Sequence, residues 1–365
     1  MITGHGGNVK ALAHRLKCSI DEIVDMSSNL NPLGPPSGLM EFIAENIHKI
    51  SSLPDVDAGK MVEAFSRYYN IDYRRVTAGN GTTWFIYTLP AALGSKKMLI
   101  SGPTYSDYRD GCIMHSVGYT YSMACKESLF EPDLDQVSKM LSDKKLKIDT
   151  FVLCNPNNPT GRFIPRKRLI DLIMANSDIN FVVDESYLPF MDEADNLTLI
   201  RETRFSNLIV LSSMSKIFKI PGLRTGFLCA DPLIIKKFMK FYQPWSVNSL
   251  AQASVIHLFE NKEQIKPFLD ETRTFIKKEK QFFQNRLKDC TILRLFDSET
   301  YFLLAELTQE IKADKICRYI AERKILIRNC TNFKGLSDKF IRFSLKTREQ
   351  NIKLADCLTE MDGIA

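Results

Sequence analysis

The sequence has few of the features that mark an exported, membrane-bound or metal-binding protein. No apolar run approaches the roughly 20 residues that a membrane-spanning helix needs. The start of the chain, MITGHGGNVK, has no apolar segment typical of a signal peptide. The cysteines include no C-x-x-C pair, and the histidines show no metal-ligand spacing. These absences predict a soluble, cytoplasmic protein with reduced thiols and no metal site.

A strong excess of one charge is also missing. The chain has 49 basic and 43 acidic residues, a formal net charge of +6. Its densest basic clusters are interleaved with acidic or apolar residues, a pattern typical of solvated helix faces, so no nucleic-acid partner is expected. At 365 residues, the chain is long enough for a large core and a smaller second domain.

Helical and strand patterns alternate from residue 37 to about residue 244. Near-continuous apolar runs such as FVLC and FVV suit a sheet covered on both faces. This alternation predicts an α/β fold with a mainly parallel sheet and crossover helices. The segment AGNGT at 78–82 is predicted to be a turn before a helix. Strands are predicted at 97–101, 119–123, 150–154, 180–183, 208–211 and 226–229.

The pattern changes after about residue 244. Two long helices, at 249–260 and 263–287, precede predicted strands at 292–295, 300–307, 325–328 and 340–345 and a last helix at 347–360. We expect a smaller α+β domain there. The predicted division is an arm at 1–36 that is rich in Asn, Gly and Pro, a large domain at 37–248, and linking helices with a small domain at 249–365.

Chemically distinctive residues follow several predicted strands. NPNNPTG stands at 155–161, D-x-x-Y at 184–187 and S-x-S-K at 213–216, with Arg224 eight residues beyond the lysine. Ligands of open α/β sheets sit at the carboxyl ends of strands. Each motif alone fits a turn or a solvated loop, but their shared topological position favours a binding site. A desolvated lysine beside positive charge loses its proton easily and can form a Schiff base with an aldehyde.

In order and spacing, these motifs resemble the fold-type I family of pyridoxal-phosphate enzymes, which includes aminotransferase classes I and II. The resemblance implies a seven-stranded type of sheet with helices on both faces in the large domain. It implies that Lys216 forms the Schiff base with pyridoxal 5'-phosphate and that Asp184 pairs with the pyridinium nitrogen. It also implies that Tyr105 stacks on the ring and that Asn158 and Tyr187 hydrogen-bond the ring oxygen.

The same resemblance implies two anion sites. Arg342, in the segment IRFSLK, is expected to bind the substrate α-carboxylate as a planar bidentate partner. Hydroxyl groups, helix amides and a guanidinium are expected to bind the cofactor phosphate. The residues implied for that phosphate are Thr82, Thr83, Ser213, Ser215 and Arg224.

The arm resembles that of the threonine-phosphate decarboxylases of the cobalamin pathway, which are relatives of histidinol-phosphate aminotransferases. The shared segments are HGGN at 5–8 and D-x-S-x-N-x-N-P-L-G-P-P at 25–36. The resemblance implies a cytoplasmic homodimer with shared active sites, and an arm that folds over the site. The residues implied for the substrate phosphate are His5, Gly6, Asn31 and Arg328, and Asn158 is implied for the carboxylate as well.

One position departs from the family pattern. The chain has Leu53-Pro54-Asp55 where the family usually has Tyr-Pro-Asp, and leucine cannot donate the tyrosine's hydrogen bond to cofactor or substrate phosphate. L-serine O-phosphate therefore stands beside L-threonine O-3-phosphate as a substrate, since one methyl group is worth only about 1–3 kcal/mol of discrimination. The products would be ethanolamine phosphate or (R)-1-amino-2-propanol O-2-phosphate, the linker of the cobalamin nucleotide loop.

Two other functions are compatible with the sequence. Transamination of histidinol phosphate or another amino acid requires the same residues, and the arm favours decarboxylation over it. A non-catalytic protein that keeps the fold is the other alternative. The presence of Lys216, Asp184, Arg224 and Arg342 argues against a chain that has lost the chemistry.

Overall fold

The computed structural model describes residues 6–308 and 310–363. Helices and strands alternate through most of this part of the chain. The helices are α1 (Val9–Leu16), α2 (Leu39–Glu45), α3 (Gly59–Tyr69), α4 (Thr82–Leu93), α5 (Asp107–Met114), α6 (Leu134–Ser142), α7 (Arg166–Ala175), α8 (Ala194–Leu197), α9 (Met214–Ile217), α10 (Pro232–Met239), α11 (Ser249–Glu260), α12 (Lys262–Arg286), α13 (Ala313–Ala321) and α14 (Arg348–Asp362).

The described strands form three sheets. The strands are β1 (Val24–Asp25), β2 (Val76–Asn80), β3 (Lys97–Gly102), β4 (Gly118–Met123), β5 (Thr150–Cys154), β6 (Asn180–Asp184), β7 (Leu208–Ser213), β8 (Thr225–Ala230), β9 (Leu293–Leu295), β10 (Phe302–Leu307), β11 (Ile325–Leu326), β12 (Arg328–Asn329) and β13 (Phe340–Ser344).

The largest sheet has seven strands in the order β2-β8-β7-β6-β5-β3-β4. Neighbouring strands run parallel except at β8, which pairs antiparallel with both β2 and β7. All residues of β5, β7 and β8 are buried, which explains their near-continuous apolar sequences. The predicted α/β fold, with a mainly parallel sheet and a smaller α+β part near the C-terminus, is confirmed.

The second sheet is antiparallel, in the order β12-β13-β10-β9. A third pairing joins β1 of the arm, in parallel, to β11. The arm is therefore hydrogen-bonded to the C-terminal part of the chain although some 300 positions separate them. The boundaries predicted for the arm and the two domains, at 36 and 248, stay a prediction.

Two local predictions are wrong. Ala78, Gly79 and Asn80 belong to strand β2 rather than to a turn, because their backbone pairs with β8. A Cβ at Gly79 would lie 2.8 Å from the ring of Trp84, so the small residues reflect close packing. The strand predicted at 325–328 is divided, since β11 pairs with the arm while β12 pairs with β13. In the described part of the chain, none of the helices is long and apolar enough to cross a membrane.

Candidate active site

A cavity of about 300 Å³ opens at the carboxyl ends of the parallel strands. Its walls come from the large sheet, from the N-terminus of α4, from the arm, and from the segments around β12 and β13. Most residues predicted from the sequence line this one cavity. They are Gly6, Thr82, Thr83, Tyr105, Asn158, Asp184, Tyr187, Ser215, Lys216, Arg224, Arg328 and Arg342.

Two predicted residues, Asn31 and Ser213, are buried and do not line the cavity. Asn31 is fully buried, and its amide donates to the Ile217 carbonyl (2.8 Å) and to Thr272 Oγ1 (3.1 Å). These bonds hold the arm against the Lys216 segment, and the predicted contact of Asn31 with a substrate phosphate stays a prediction. Ser213 is buried at the end of β7 behind the lining residues, so its phosphate contact stays a prediction. His5 lies outside the described residues.

Asp184 is the last residue of β6 and is only 4% exposed. Its Oδ2 accepts a hydrogen bond from the Tyr108 hydroxyl (2.8 Å), and its Oδ1 accepts one from the Ser186 amide (2.9 Å). Both donors hold the carboxylate in one orientation at the base of the cavity. A carboxylate fixed in this way can pair with a protonated ring nitrogen.

Lys216 lies in the short helix α9, directly after β7. Its Nζ is 5.2 Å from the centre of the Tyr187 ring. Burial lowers the pKa of the Lys216 amine, and the Arg224 charge lowers it further, while Asp184 and other groups oppose both effects. The result is an amine that loses its proton more easily than a solvated lysine and can act as a nucleophile toward an aldehyde.

A set of hydrogen-bond donors surrounds the space between α4 and the turn after α9. Helix α4 begins at Thr82, so its free amides face this space. Arg224 Nη2 is 3.5 Å from Thr83 Oγ1. Gly81 has a φ of +76°, and a Cβ there would lie 2.8 Å from Arg224 Nη2, so a side chain would displace the guanidinium. Amides, hydroxyls and a guanidinium together fit a phosphate group.

Tyr187 receives a hydrogen bond that the sequence did not indicate. Asn29 of the arm donates from Nδ2 to the Tyr187 hydroxyl oxygen (3.1 Å), and its Oδ1 accepts from Ser344 Oγ (2.9 Å). Burial raises the pKa of Tyr187 well above its usual value, so the hydroxyl stays protonated. Its hydrogen is available for an oxygen of a bound ligand, because the bond from Asn29 occupies an acceptor position.

Arg342 and Arg328 lie on the side of the cavity that faces the arm. Arg342 is only 4% exposed, and it donates to Asn158 Oδ1 and to the Ser27 carbonyl (2.6 Å). Its buried Nε has no hydrogen-bond partner within the described part of the chain. Arg328 donates to Asn332 Oδ1 (2.5 Å) and lies 5.2 Å from the Phe333 ring centre.

The charge balance of the cavity is strongly positive. Burial lowers the pKa of Arg328, and the neighbouring Arg342 charge lowers it further, although nearby thiols oppose this. Among the described lining residues, Asp184 is the only carboxylate, against three arginines and one lysine. Such a cavity is suited to anionic ligands at two places, one near Arg224 and one near Arg328 and Arg342.

Several lining residues were missed from the sequence. Tyr108 lies in α5, and nothing in the sequence indicated its bond to Asp184. The arm residues Ser27, Ser28, Asn29 and Leu30 also line the cavity. The sequence motif at 25–36 contains these residues. An irregular segment has no helical or strand periodicity, however, so the sequence does not show which of the two asparagines in the motif lines the cavity. Asn29 lines the cavity and Asn31 does not.

Comparison with known proteins places this geometry in a family. The family described as aminotransferase class I and II matches residues 21–358. The chain belongs to this family. Pyridoxal 5'-phosphate is its cofactor, and the donor set around Thr82 and Arg224, with Lys216 and Asp184 nearby, fits that molecule.

The similar proteins have names that indicate different activities. An adenosylcobalamin biosynthesis bifunctional protein of Leptospira interrogans is 30% identical over 98% of this chain, but the chain spans only 41% of that protein. The threonine-phosphate decarboxylase of Salmonella typhimurium is 28% identical, with 100% of this chain and 98% of that protein covered. The crystal structure of a histidinol-phosphate aminotransferase from Clostridium acetobutylicum is similar at a TM-score of 0.85 and 27% identity, covering 94% of this chain and 100% of that one.

Proposed function

We propose that this protein decarboxylates a phosphorylated amino acid, with L-threonine O-3-phosphate and L-serine O-phosphate as the candidate substrates. The observation that carries the proposal is the pair Arg328 and Arg342, which line the cavity beside the arm, whereas Arg224 lies beside Thr83. No carboxylate from the described lining residues neutralises them at that end. A substrate with both a carboxylate and a phosphate would supply a partner for each arginine.

The products would be (R)-1-amino-2-propanol O-2-phosphate or ethanolamine phosphate, which serve as the linker of the cobalamin nucleotide loop. The names of the Leptospira and Salmonella relatives support this assignment.

The residues of the chain divide the reaction between them. Pyridoxal phosphate, when bound, supplies an electron-accepting ring that stabilises the electron pair left when CO2 departs. Asp184 would keep a proton on the ring nitrogen, and Tyr187 and Asn158 would donate to the ring oxygen. Lys216 Nζ would donate a proton to the substrate Cα as a general acid.

Substrate orientation would decide which bond breaks. The Arg342 guanidinium is held in its orientation, since two of its nitrogen atoms donate hydrogen bonds to Asn158 and Ser27. Arg328, held by Asn332 and Phe333, would take the second anionic group. With both anions fixed, the carboxylate, and not the Cα hydrogen, would be turned into the reactive position.

The proposal includes a homodimer with shared active sites. Leu53 is 77% exposed, and its neighbours in the chain Ile50 and Ile47 are 68% and 52% exposed. Leu53 does not line the described cavity. It lines a separate surface groove together with His257 and Phe42. A cluster of exposed apolar side chains is typical of a protein interface. Light scattering coupled to size-exclusion chromatography would show twice the 41.7 kDa chain mass.

Transamination of histidinol phosphate is the second candidate. It is favoured by the similarity to the Clostridium acetobutylicum structure, and it uses the same cofactor-binding residues. It differs in requiring an amino acceptor such as 2-oxoglutarate for turnover.

The deciding experiment is product analysis of the purified holoenzyme. O-phospho-L-threonine, O-phospho-L-serine and histidinol phosphate are each supplied with and without 2-oxoglutarate. We expect CO2 and the amine phosphate in equal amounts from a phosphorylated amino acid without any keto acid. Activity that depends strictly on 2-oxoglutarate would overturn the proposal in favour of transamination.

A further inference from the structure

The Asp25 carboxylate is a centre of hydrogen bonds in the arm. Its Oδ1 accepts from the Ser27 amide (2.9 Å), from Ser27 Oγ (2.7 Å) and from the Ser28 amide (3.2 Å), and its Oδ2 accepts from Ser28 Oγ. Four donated bonds on one side chain fix the backbone of residues 25–28 in a single turn. Asp25 itself does not line the cavity, so its effects must pass through its neighbours.

Ser27 connects the Asp25 turn to two other parts of the cavity wall, Arg342 and the Gly6–Gly7 segment. Its carbonyl oxygen accepts from Arg342 Nη2 (2.6 Å), and its Oγ accepts from the Gly7 amide (2.7 Å). Because the Ser27 hydroxyl hydrogen is donated to Asp25, a lone pair of Oγ is left to face Gly7. The fit is close, since a Cβ at Gly6 would lie 2.5 Å from the Ser27 carbonyl oxygen.

The arm also lies between the two strands that lead to the arginines. The Met26 amide donates to the Leu326 carbonyl (2.8 Å), and the Met26 carbonyl accepts from the Ser344 amide (2.8 Å). Leu326 precedes Arg328 by two residues, and Ser344 follows Arg342 by two. The Asp25 turn therefore starts from a backbone that is fixed relative to both arginines.

We propose that Asp25 is a positioning residue for substrate binding, which holds the Ser27 carbonyl on Arg342 and the Gly6–Gly7 segment over the cavity. This inference rests on the proposed function, in which Arg342 binds an anionic group of the substrate. Without Asp25, the Ser27 peptide is free to turn, Arg342 loses a fixed acceptor, and the Gly7 amide loses its partner. None of the hydrogen bonds described for residues 25–28 joins this turn to Asp184 or Lys216.

The test compares Asp25→Ala and Asp25→Asn with Asp72→Ala in the holoenzyme. Asp72 makes the same kind of turn on the surface, where its Oδ1 accepts from the Arg74 amide (3.0 Å). Loss of bonds to a charged group predicts that Asp25→Ala raises KM for O-phospho-L-threonine by about 10-fold or more. We expect kcat and the cofactor absorbance to change little. Asp25→Asn should have a smaller effect, because its one carbonyl oxygen can still accept the Ser27 bonds.

Hydrogen–deuterium exchange supplies a readout that does not depend on the substrate. Residues 6–17 should exchange faster in Asp25→Ala and at the wild-type rate in Asp72→Ala. An unchanged KM in Asp25→Ala overturns the proposal whatever happens to the exchange. If the wild type turns over no phosphorylated amino acid, the proposed function fails by itself. In that case unchanged exchange in residues 6–17 overturns the role of Asp25, and faster exchange supports it.

Discussion

The two ends of the cavity are built in different ways. The cofactor end is formed by residues at one edge of the large sheet and at the starts of adjoining helices. Asp184 ends β6, Lys216 follows β7, and Arg224 directly precedes β8. The arm end is assembled from segments that lie some 300 residues apart, where Ser27 accepts from Arg342. Parallel strands bring their carboxyl ends together whatever the loops contain, whereas the arm end depends on individual hydrogen bonds.

In the proposed function, the two ends have different tasks: the reaction takes place at the cofactor end, and the substrate is recognised at the arm end. The cofactor end carries the nucleophilic amine and the ring partner, which the whole family needs. The arm end carries two arginines without a described carboxylate partner, and in the proposed function these arginines hold the substrate. Variants of the first end should therefore mainly lower kcat, whereas variants of the second should mainly raise KM for the substrate.

Lys216→Ala should have the largest effect. Removing the amine eliminates both the covalent link to the cofactor and the general acid, so we expect turnover to fall by at least about 10³-fold. The visible absorbance that the cofactor acquires on covalent linkage to a lysine should also disappear. Lys237→Ala, on an exposed face of α10, serves as the control and should keep both. An active, coloured Lys216→Ala protein would remove the cofactor end from the chemistry.

Arg342→Lys tests the arm end. Lysine keeps the charge but loses the planar pair of donors, so KM for the phosphorylated amino acid should rise about 10- to 100-fold. The cofactor absorbance should stay the same. Steady-state kinetics and a cofactor titration separate these two outcomes. A loss of cofactor binding with an unchanged KM would show that the two ends are not independent.

Tyr108→Phe tests a contact that only the structure reveals. Deleting the hydroxyl removes the 2.8 Å bond to Asp184 Oδ2, and one bond to a charged group is worth about 1.5–3 kcal/mol. We expect kcat to fall about 10-fold while KM changes less, as measured by steady-state kinetics. Tyr119→Phe, at the exposed edge strand β4, is the matched control. Equal kinetics in the two variants would argue against a role for Tyr108 in orienting Asp184.

Glu185→Gln should change stability more than activity. Glu185 is buried and accepts from Thr198 Oγ1 (2.5 Å) and the Leu199 amide (2.7 Å), and burial raises its pKa to about 7. The folded state therefore holds this proton more tightly than the unfolded state. The resulting stabilisation is complete below pH of about 4.5 and is lost as the pH rises through about 7.

The free energy of unfolding, measured by urea titration across this range, should therefore fall with pH in the wild type by up to about 3 kcal/mol more than in Glu185→Gln. Glu45→Gln on the exposed surface of α2 should follow the wild type. Parallel pH profiles for wild type and Glu185→Gln would contradict the raised pKa.

The contrast between the cofactor end and the arm end also explains how much of the site could be predicted from the sequence. Lys216, Asp184 and Tyr105 could be predicted because the ends of buried strands are visible in the sequence as the ends of apolar runs. Chemically distinctive residues follow those ends. Strand β2 was missed because its small residues, selected by the close approach of Trp84, resemble a turn. Asn31 was implied by the resemblance alone. The arm has no periodicity that could show that Asn29, and not Asn31, lines the cavity, because the hydrogen bonds that orient the arm join residues far apart in the chain.

The most direct test of selection at the arm end is the preference for phosphorylated over unphosphorylated substrate. The holoenzyme is given carboxyl-labelled O-phospho-L-threonine or carboxyl-labelled L-threonine without a keto acid, and labelled CO2 is counted in wild type and Arg328→Gln. We expect kcat/KM to be at least about 100-fold higher for the phosphorylated form in the wild type, and this ratio should fall about 10-fold or more in Arg328→Gln. Equal rates for the two amino acids in the wild type, or a ratio that Arg328→Gln leaves unchanged, would contradict the role assigned to the arm end.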